Sequence, residues 1–277
     1  MADVAVTLVC INELEDVRRA LQELRAQTGV ELEIAVVDNG STDGSIEFLQ
    51  AQLDVQLIAN AENRWLSPAW MQAVNATDAP YVLFLTPDAA LPDPTAIATL
   101  RAELEADPAV GLAGPRLLDA DGSDLSNGAF QFPTPRFVIA DALNLLPRGR
   151  RIRISPVAQA GEETRPVRLV NGAIMLARRE ALAQIGYLDE RFKLYWEEVD
   201  LCKRLGDAGW KIVLVPQVTA AHRGKGSPTP GRVRNEVYAY GEQLYFRKHH
   251  GPAAASAVAL ARRLQRLRGE ARVKAEG

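Results

Sequence analysis

Apolar and polar positions follow two different rhythms along the first 115 residues. Short aliphatic and β-branched runs, VAVTLVC (4–10), LEIAVV (32–37), VQLIA (55–59), YVLFL (81–85) and VGLAG (110–114), predict strands buried on both faces. Between them apolar residues recur at helical spacing: Leu14, Val17, Leu21 and Leu24 share one face of a helix running from Leu14 to Gln27. A short helix through Ile46, Phe48 and Leu49 follows, then one near 67–77 and one from just after Pro94 to about Asp107. This alternation predicts a mainly parallel α/β sheet flanked by helices, a class that binds ligands at the carboxyl ends of its strands.

After Pro115 the pattern changes. Residues 119–166 are rich in Gly, Asp, Asn and Pro and then in arginine, which predicts irregular structure with a mobile loop near 147–166. VRLVNGAIMLAR (167–178) predicts one strand, 179–185 a short helix, 197–208 a longer one and KIVLV (211–215) a strand. From Gly231 the chain is predicted helical, ending in a basic amphipathic segment, 252–272, with Arg262, Arg263, Arg266, Arg268 and Arg272.

Composition removes several classes. The 277 residues are 47% hydrophobic and 24% charged, which excludes a disordered chain. A formal charge of −3, from 32 Lys and Arg against 35 Asp and Glu, argues against nucleic acid as a partner. The longest apolar run, AAASAVALA (253–261), falls well short of a membrane span. MADVAVTLVCINELED reads as a first strand and not a signal peptide, which predicts a cytoplasmic location. Two isolated cysteines, Cys10 and Cys202, fit a reducing compartment and small buried positions.

Four places carry candidate chemistry. Asp38 closes a predicted strand ahead of the turn-rich DNGSTDGS, where its carboxylate either meets a ligand or makes an Asx turn. YVLFLTPDA delivers Thr86, Pro87 and Asp88 to a strand end, and Asp88 offers the hard oxygen that a divalent cation requires. In LYWEEVDLCKRLGDAGW, Glu198 shares a helical face with Leu201, Cys202 and Leu205, while Glu197, Asp200, Arg204 and Asp207 form a separate polar stripe. Glu198 is therefore the carboxylate expected to point inward, in the first helical turn where the dipole favours its ionised form, a suitable general base. His222, in TAAHRGKGS, is a candidate ligand for a Mn²⁺-type ion; His249 and His250 receive no role.

In their order and number, VVDNGSTDGS, YVLFLTPDA, VNGAIMLARRE, YLDERFKLYWEEVDLCKRLGDAGW and the late His222 resemble bacterial glycosyltransferase family 2, of GT-A fold, and its rhamnosyltransferase-like branch, over about residues 3–250. The resemblance implies an inverting transfer from a nucleotide-diphosphate sugar, rhamnose favoured, to a glycan or lipid-linked glycan acceptor, assisted by Mg²⁺ or Mn²⁺. It divides the chain into a glycosyltransferase domain, 1–230, with nucleotide-binding (1–118) and acceptor-binding (119–230) halves, and a C-terminal helical extension, 231–277. It also implies that Asp38 contacts the nucleoside base, that Asp88 and His222 hold the metal with Thr86 beside them, and that Glu198 is the base. Asn12, Glu13 and Arg64 then line the donor pocket, Arg223 and Lys225 close over the diphosphate, and Trp196, Glu197 and Asp200 face the acceptor.

The sequence departs from the branch at several positions. Thr86 replaces Asn or Asp, Glu198 replaces Asp, and Trp65, Leu66, Trp70 and Gln72 replace Gly, Phe, Asn and Gly, which places two tryptophans at the donor pocket. These departures keep open an alternative, a family member that binds nucleotide-sugar or a partner enzyme without turnover. A sugar-1-phosphate nucleotidyltransferase is discounted, because CINELED puts acids where that class has a Gly-rich basic loop. Helix 252–272 has two readings, docking on anionic lipids at the inner membrane face or packing through Leu260, Leu264 and Leu267.

Overall fold

The computed structural model describes residues 2–119, 132–146, 163–223 and 230–276. In chain order the elements are β1 (Val4–Cys10), α1 (Leu14–Arg25), β2 (Leu32–Asp38), α2 (Ser45–Gln50), β3 (Val55–Ala59), α3 (Leu66–Asn75), β4 (Tyr81–Leu85), β5 (Ala89–Ala90), α4 (Ala96–Ala106) and β6 (Val110–Leu118). They continue as α5 (Pro135–Ala142), β7 (Arg165–Val167), β8 (Ile174–Arg178), α6 (Arg179–Ile185), α7 (Glu197–Asp207), β9 (Lys211–His222) and α8 (Gly231–Glu276).

The central strands are apolar on both faces because helices cover both. Val4, Val6, Leu8 and Cys10 of β1 pack with Val17 and Leu21 of α1 and Leu100 of α4. On the opposite face Val9, Val37 and Phe84 meet Trp70 of α3, Leu201 of α7 and Tyr245 of α8. Burying one such aliphatic side chain contributes about 1.5–3 kcal/mol, so these two layers dominate the fold.

The strand order is β3-β2-β1-β4-β8-β6-β9-β5, with β7 also on β9. The first four strands are parallel, as the alternation predicts, and so is the β6–β9 pair. The sheet as a whole is mixed, because β8 enters antiparallel between β4 and β6. That insertion sets Ile174 opposite Leu85, so the turn before β8 lies beside the carboxyl end of β4.

Three local expectations change. The single strand expected over 167–178 splits into β7 and β8, because Asn171 Oδ1 accepts from Ala173 N–H (2.9 Å) and turns the chain. Within 119–166, read as irregular, α5 forms behind a Thr134 cap, whose Oγ1 accepts from Phe137 N–H (3.3 Å), with Pro135 in its first turn. The loop expected near 147–166 falls largely outside the described residues. β9 runs seven residues beyond the expected end at 215, bulging at Pro216–Val218 where its register on β6 shifts and Pro216 has no N–H to donate.

α8 bends where Gly251 takes a left-handed φ of 85° before Pro252. Beyond the bend Ala255, Val258 and Ala261 are buried, whereas Leu260, Leu264 and Leu267 are exposed. The packing reading for those three leucines is therefore corrected: spacing of three from Ala255 puts the small residues, not the leucines, against the core.

Candidate active site

The carboxyl ends of β1 and β4, the Asn171–Ala173 turn, the entry to α7, the end of β9 and the start of α8 enclose an open cavity of about 220 Å³. This is the strand-end position that the alternating pattern predicts for a ligand.

One wall is built by the turn after β4. Asp88 Oδ1 accepts from Thr86 Oγ1 (2.8 Å), and Oδ2 lies 3.3 Å from His222 Nε2. The register explains the meeting, because Ala89 pairs with His222 across β5 and β9. Arg19 of α1 donates to the Pro87 carbonyl (2.7 Å) and pins the turn. Burial works to raise the Asp88 carboxyl, but His222 and the Thr86 hydroxyl hold it below the ordinary value. Glu13 behaves oppositely: burial, assisted by the charges of Asp88 and Asp16, pushes its carboxyl up to about 8. Two neighbouring carboxyls thus favour different protonation states.

Among the described residues no three His, Cys, Asp or Glu side chains converge on one point. Asp88 and His222 form a two-donor set, one carboxylate oxygen and one imidazole nitrogen. Such a set suits a Mg²⁺ or Mn²⁺ ion that draws its remaining ligands from phosphate and water.

The facing wall comes from the entry to α7. Tyr195 and Trp196 both adopt left-handed φ, 67° and 73°. Tyr195 lines the cavity, whereas Trp196 is buried among Tyr238, Tyr245 and Phe246 of α8, at 5.5, 5.3 and 6.0 Å between ring centres. Trp196 is thus corrected from an acceptor contact to a packing anchor.

Glu197 and Glu198 both line the cavity, and the Oε2 of each is buried without a hydrogen-bond partner. Gly172 permits this, since a Cβ there would stand 3.3 Å from the Glu198 Cβ. Burial raises both carboxyls, and the charge of Glu198 raises Glu197 further. The expectation that the helix dipole keeps Glu198 ionised is corrected: the dipole contributes about 0.3–1 kcal/mol, less than the several kcal/mol that desolvation costs. The polar stripe is not a solvated face, because Glu197 and Asp200 are buried. Asp200 lies outside the cavity and accepts from Arg204, Lys248 and His249, each at 2.7 Å, which joins α7 to α8. His249, given no role from sequence, completes that network.

The other predicted residues separate. Asp38 is fully buried off the cavity, its Oδ1 accepting from Gly40 N–H (3.0 Å) and Ser41 N–H (2.7 Å), which is the Asx-turn alternative; Asn39 lines the cavity instead. Asn12 ties two loops together, donating to Ser41 Oγ and accepting from Thr42 N–H, both at 2.8 Å. Arg64 is exposed and off the cavity wall. Arg223 pairs with Asp16 of α1 and is also off that wall, and Lys225 lies outside the described residues. Of the two tryptophans expected at the donor pocket, only Trp65 lines the cavity; Trp70 is buried against Phe84, 5.3 Å between ring centres. Tyr195, Asn171 and Arg234 line the cavity without having been singled out. The Asn171-Gly172 turn signal was the one available pointer among them.

The profile of Glycosyl transferase family 2 matches residues 5–186. An N-acetylglucosaminyl-diphospho-decaprenol L-rhamnosyltransferase of Mycobacterium tuberculosis is 31% identical over 227 residues, covering 74% of this chain and 70% of that protein. The mannosyltransferase PcManGT from Pyrobaculum calidifontis, solved with GDP-Man and Mn²⁺, is similar in fold at TM-score 0.58 and 18% identity over 94% of this chain and 74% of its own. GalNAc-T7, solved with UDP, GalNAc and Mn²⁺, gives 0.61 and 16% over 91% and 51%. The fold is thus that of GT-A glycosyltransferases, and with the family pattern running from β1 through α6 the chain belongs to glycosyl transferase family 2.

Proposed function

We propose that the protein transfers a sugar from a nucleotide-diphosphate donor to a hydroxyl of a glycan or lipid-linked glycan, with inversion, and that Glu198 is the base. The observation that carries this reading is the Glu198 carboxylate, its Oε2 buried and unpartnered, on the same cavity as Asp88 and His222. Asp88 and His222 would hold Mg²⁺ or Mn²⁺, which when bound offsets charge developing on the departing diphosphate. Glu198 takes the proton from the acceptor hydroxyl as that oxygen attacks the anomeric carbon. Its raised carboxyl brings the base nearer neutral pH, where proton transfer is most effective. A single displacement requires no covalent nucleophile, and it inverts the stereocentre. Rhamnose, and an acceptor on a polyprenyl diphosphate, are supported by the name of the mycobacterial relative.

Thermal unfolding with dTDP, UDP, GDP or CDP, each with and without Mn²⁺, tests the donor reading. At 100 times its Kd a nucleotide stabilises the fold by about 2.7 kcal/mol, or roughly 5–10 °C for a chain of this size. One nucleotide is expected to give this shift only with the metal, and Asp88→Ala is expected to lose it. Flat traces with all four nucleotides reject the reading.

Peripheral contact with the inner face of a membrane, from the cytoplasm, belongs to the same proposal. Among the described residues no helix is long and apolar enough to cross a membrane. Leu260, Leu264 and Leu267, 59%, 38% and 52% exposed, form one stripe of α8, and Arg263, Arg266 and Arg268 are exposed on the same stretch. Exposed leucines beside arginines complement an anionic lipid surface, at about 1 kcal/mol per arginine. In co-sedimentation the protein is expected to bind phosphatidylglycerol-containing vesicles over pure phosphatidylcholine ones, and Leu260→Asp with Leu264→Asp is expected to release it. Equal sedimentation with both vesicles, or no effect of the double variant, removes the membrane contact.

A further inference from the structure

The cavity wall has a lopsided charge. Glu13, Asp88, Glu197 and Glu198 face it, and among the described residues Arg234 is the one Lys or Arg side chain that lines it. Of the basic residues expected at the donor site, Arg64 and Arg223 stand off the wall, Arg223 is occupied by Asp16, and Lys225 lies outside the described residues. Arg234 is half-buried and makes no ion pair among the described residues.

Its position is built and not incidental. Arg234, Tyr238 and Gly241 are spaced by four and three, so they share one face of α8. Tyr238 packs on Tyr195 and Trp196 at 5.8 and 5.5 Å between ring centres. At Gly241 a Cβ would come within 2.9 Å of the Trp196 ring, so the helix seats there as closely as a backbone can. The same seat carries Arg234, about two turns before Gly241, to the cavity that Tyr195 also lines. Glu197, Glu198 and Asp88 line that same cavity.

We propose that Arg234, carried in by the C-terminal helix, binds a phosphate of the diphosphate that enters this cavity. A guanidinium offers a planar fork matched to phosphate oxygens, and here it answers four carboxyls that would otherwise repel such an anion. Arg234 also makes α8 part of the substrate site and not only a membrane-facing appendage. The inference rests on the glycosyltransferase reading, in which the donor and a polyprenyl-linked acceptor both carry a diphosphate.

Calorimetric titration of dTDP, UDP, GDP and CDP, each against its monophosphate at constant Mn²⁺, separates the cases. Arg234→Ala is expected to weaken the favoured diphosphate roughly 10- to 100-fold and the monophosphate less. Arg234→Lys is expected to restore part of the loss, and Arg234→Met keeps the apolar stem should Ala loosen α8. If the acceptor is the source, nucleotide affinity holds, and the KM for a polyprenyl-diphosphate acceptor rises by the same factor while an acceptor lacking the diphosphate is unaffected. A folded Arg234→Ala or Arg234→Met protein unchanged in both arms overturns the assignment. If the wild-type protein binds none of the four nucleoside diphosphates, the reading of the site fails first and this inference falls with it.

Discussion

Replacing Glu198 with Gln is expected to lower kcat by about 10²–10⁴-fold, the range for removal of a general base. The substitution keeps side-chain volume and the close packing on Gly172, where a Cβ would stand 3.3 Å away. Nucleotide binding, measured by the same thermal shift, is expected to hold because Asp88 and His222 are untouched. Glu198→Asp withdraws the carboxylate by about one methylene, and a displacement near 1 Å costs about 10²-fold. The base must be ionised to act, and burial opposes ionisation. The rate is therefore expected to climb with pH above the ordinary carboxylate range before levelling. Glu197 is the internal control, since it lines the same cavity and its Oε2 is equally unpartnered. Substantial turnover in Glu198→Gln together with its loss in Glu197→Gln would move the base to Glu197.

Asp200→Ala is expected to destabilise the protein by about 3 kcal/mol, the low end for breaking a buried ionic group because Arg204 and Lys248 keep some contact with water. For a chain of this size that is a fall of about 6–12 °C in Tm. The carboxylate is fully buried and holds Arg204, Lys248 and His249, so its loss leaves cations facing an empty acceptor where α7 meets α8. Acid should act in the same direction. Burial works to raise the Asp200 carboxyl, but its partners hold it below the ordinary value, and Asp189, which shares Lys248, is likewise held down. A carboxyl lowered in the folded state stabilises fully above its unfolded pKa of about 3.9, and that contribution is lost as pH falls towards the folded value. Denaturant midpoints measured between pH 7 and pH 3 are expected to drop for the wild type below about pH 4 and to drop less for Asp200→Asn. Parallel curves for the two proteins would refute this account of the network.

The chain's apolar rhythm by itself determined the parallel half of the sheet, the helices that cover it and the end of the sheet where the cavity opens. Strand runs buried on both faces admit few other arrangements, and a short loop after each strand leaves Asp88 at a carboxyl end whatever the rest does. Glu198 was legible for a related reason, since its helical spacing from Leu201, Cys202 and Leu205 ties it to the core.

Helical spacing misplaced the neighbours of Glu198, because it assumes that the side opposite the core faces water. In the folded protein α8 covers that side and buries Asp200. At the left-handed pair Tyr195–Trp196 the first residue lines the cavity and the second packs against α8, a division that no side-chain pattern encodes. Asp88 and His222 meet through β5–β9 register, across 134 residues of chain. Arg234 reaches the cavity from a helix that Gly241 lets seat closely on Trp196. Local periodicity specifies which way a residue faces within its own element; which element stands opposite, and hence whether a charge meets water, a partner or a substrate, is decided only when the distant segments pack.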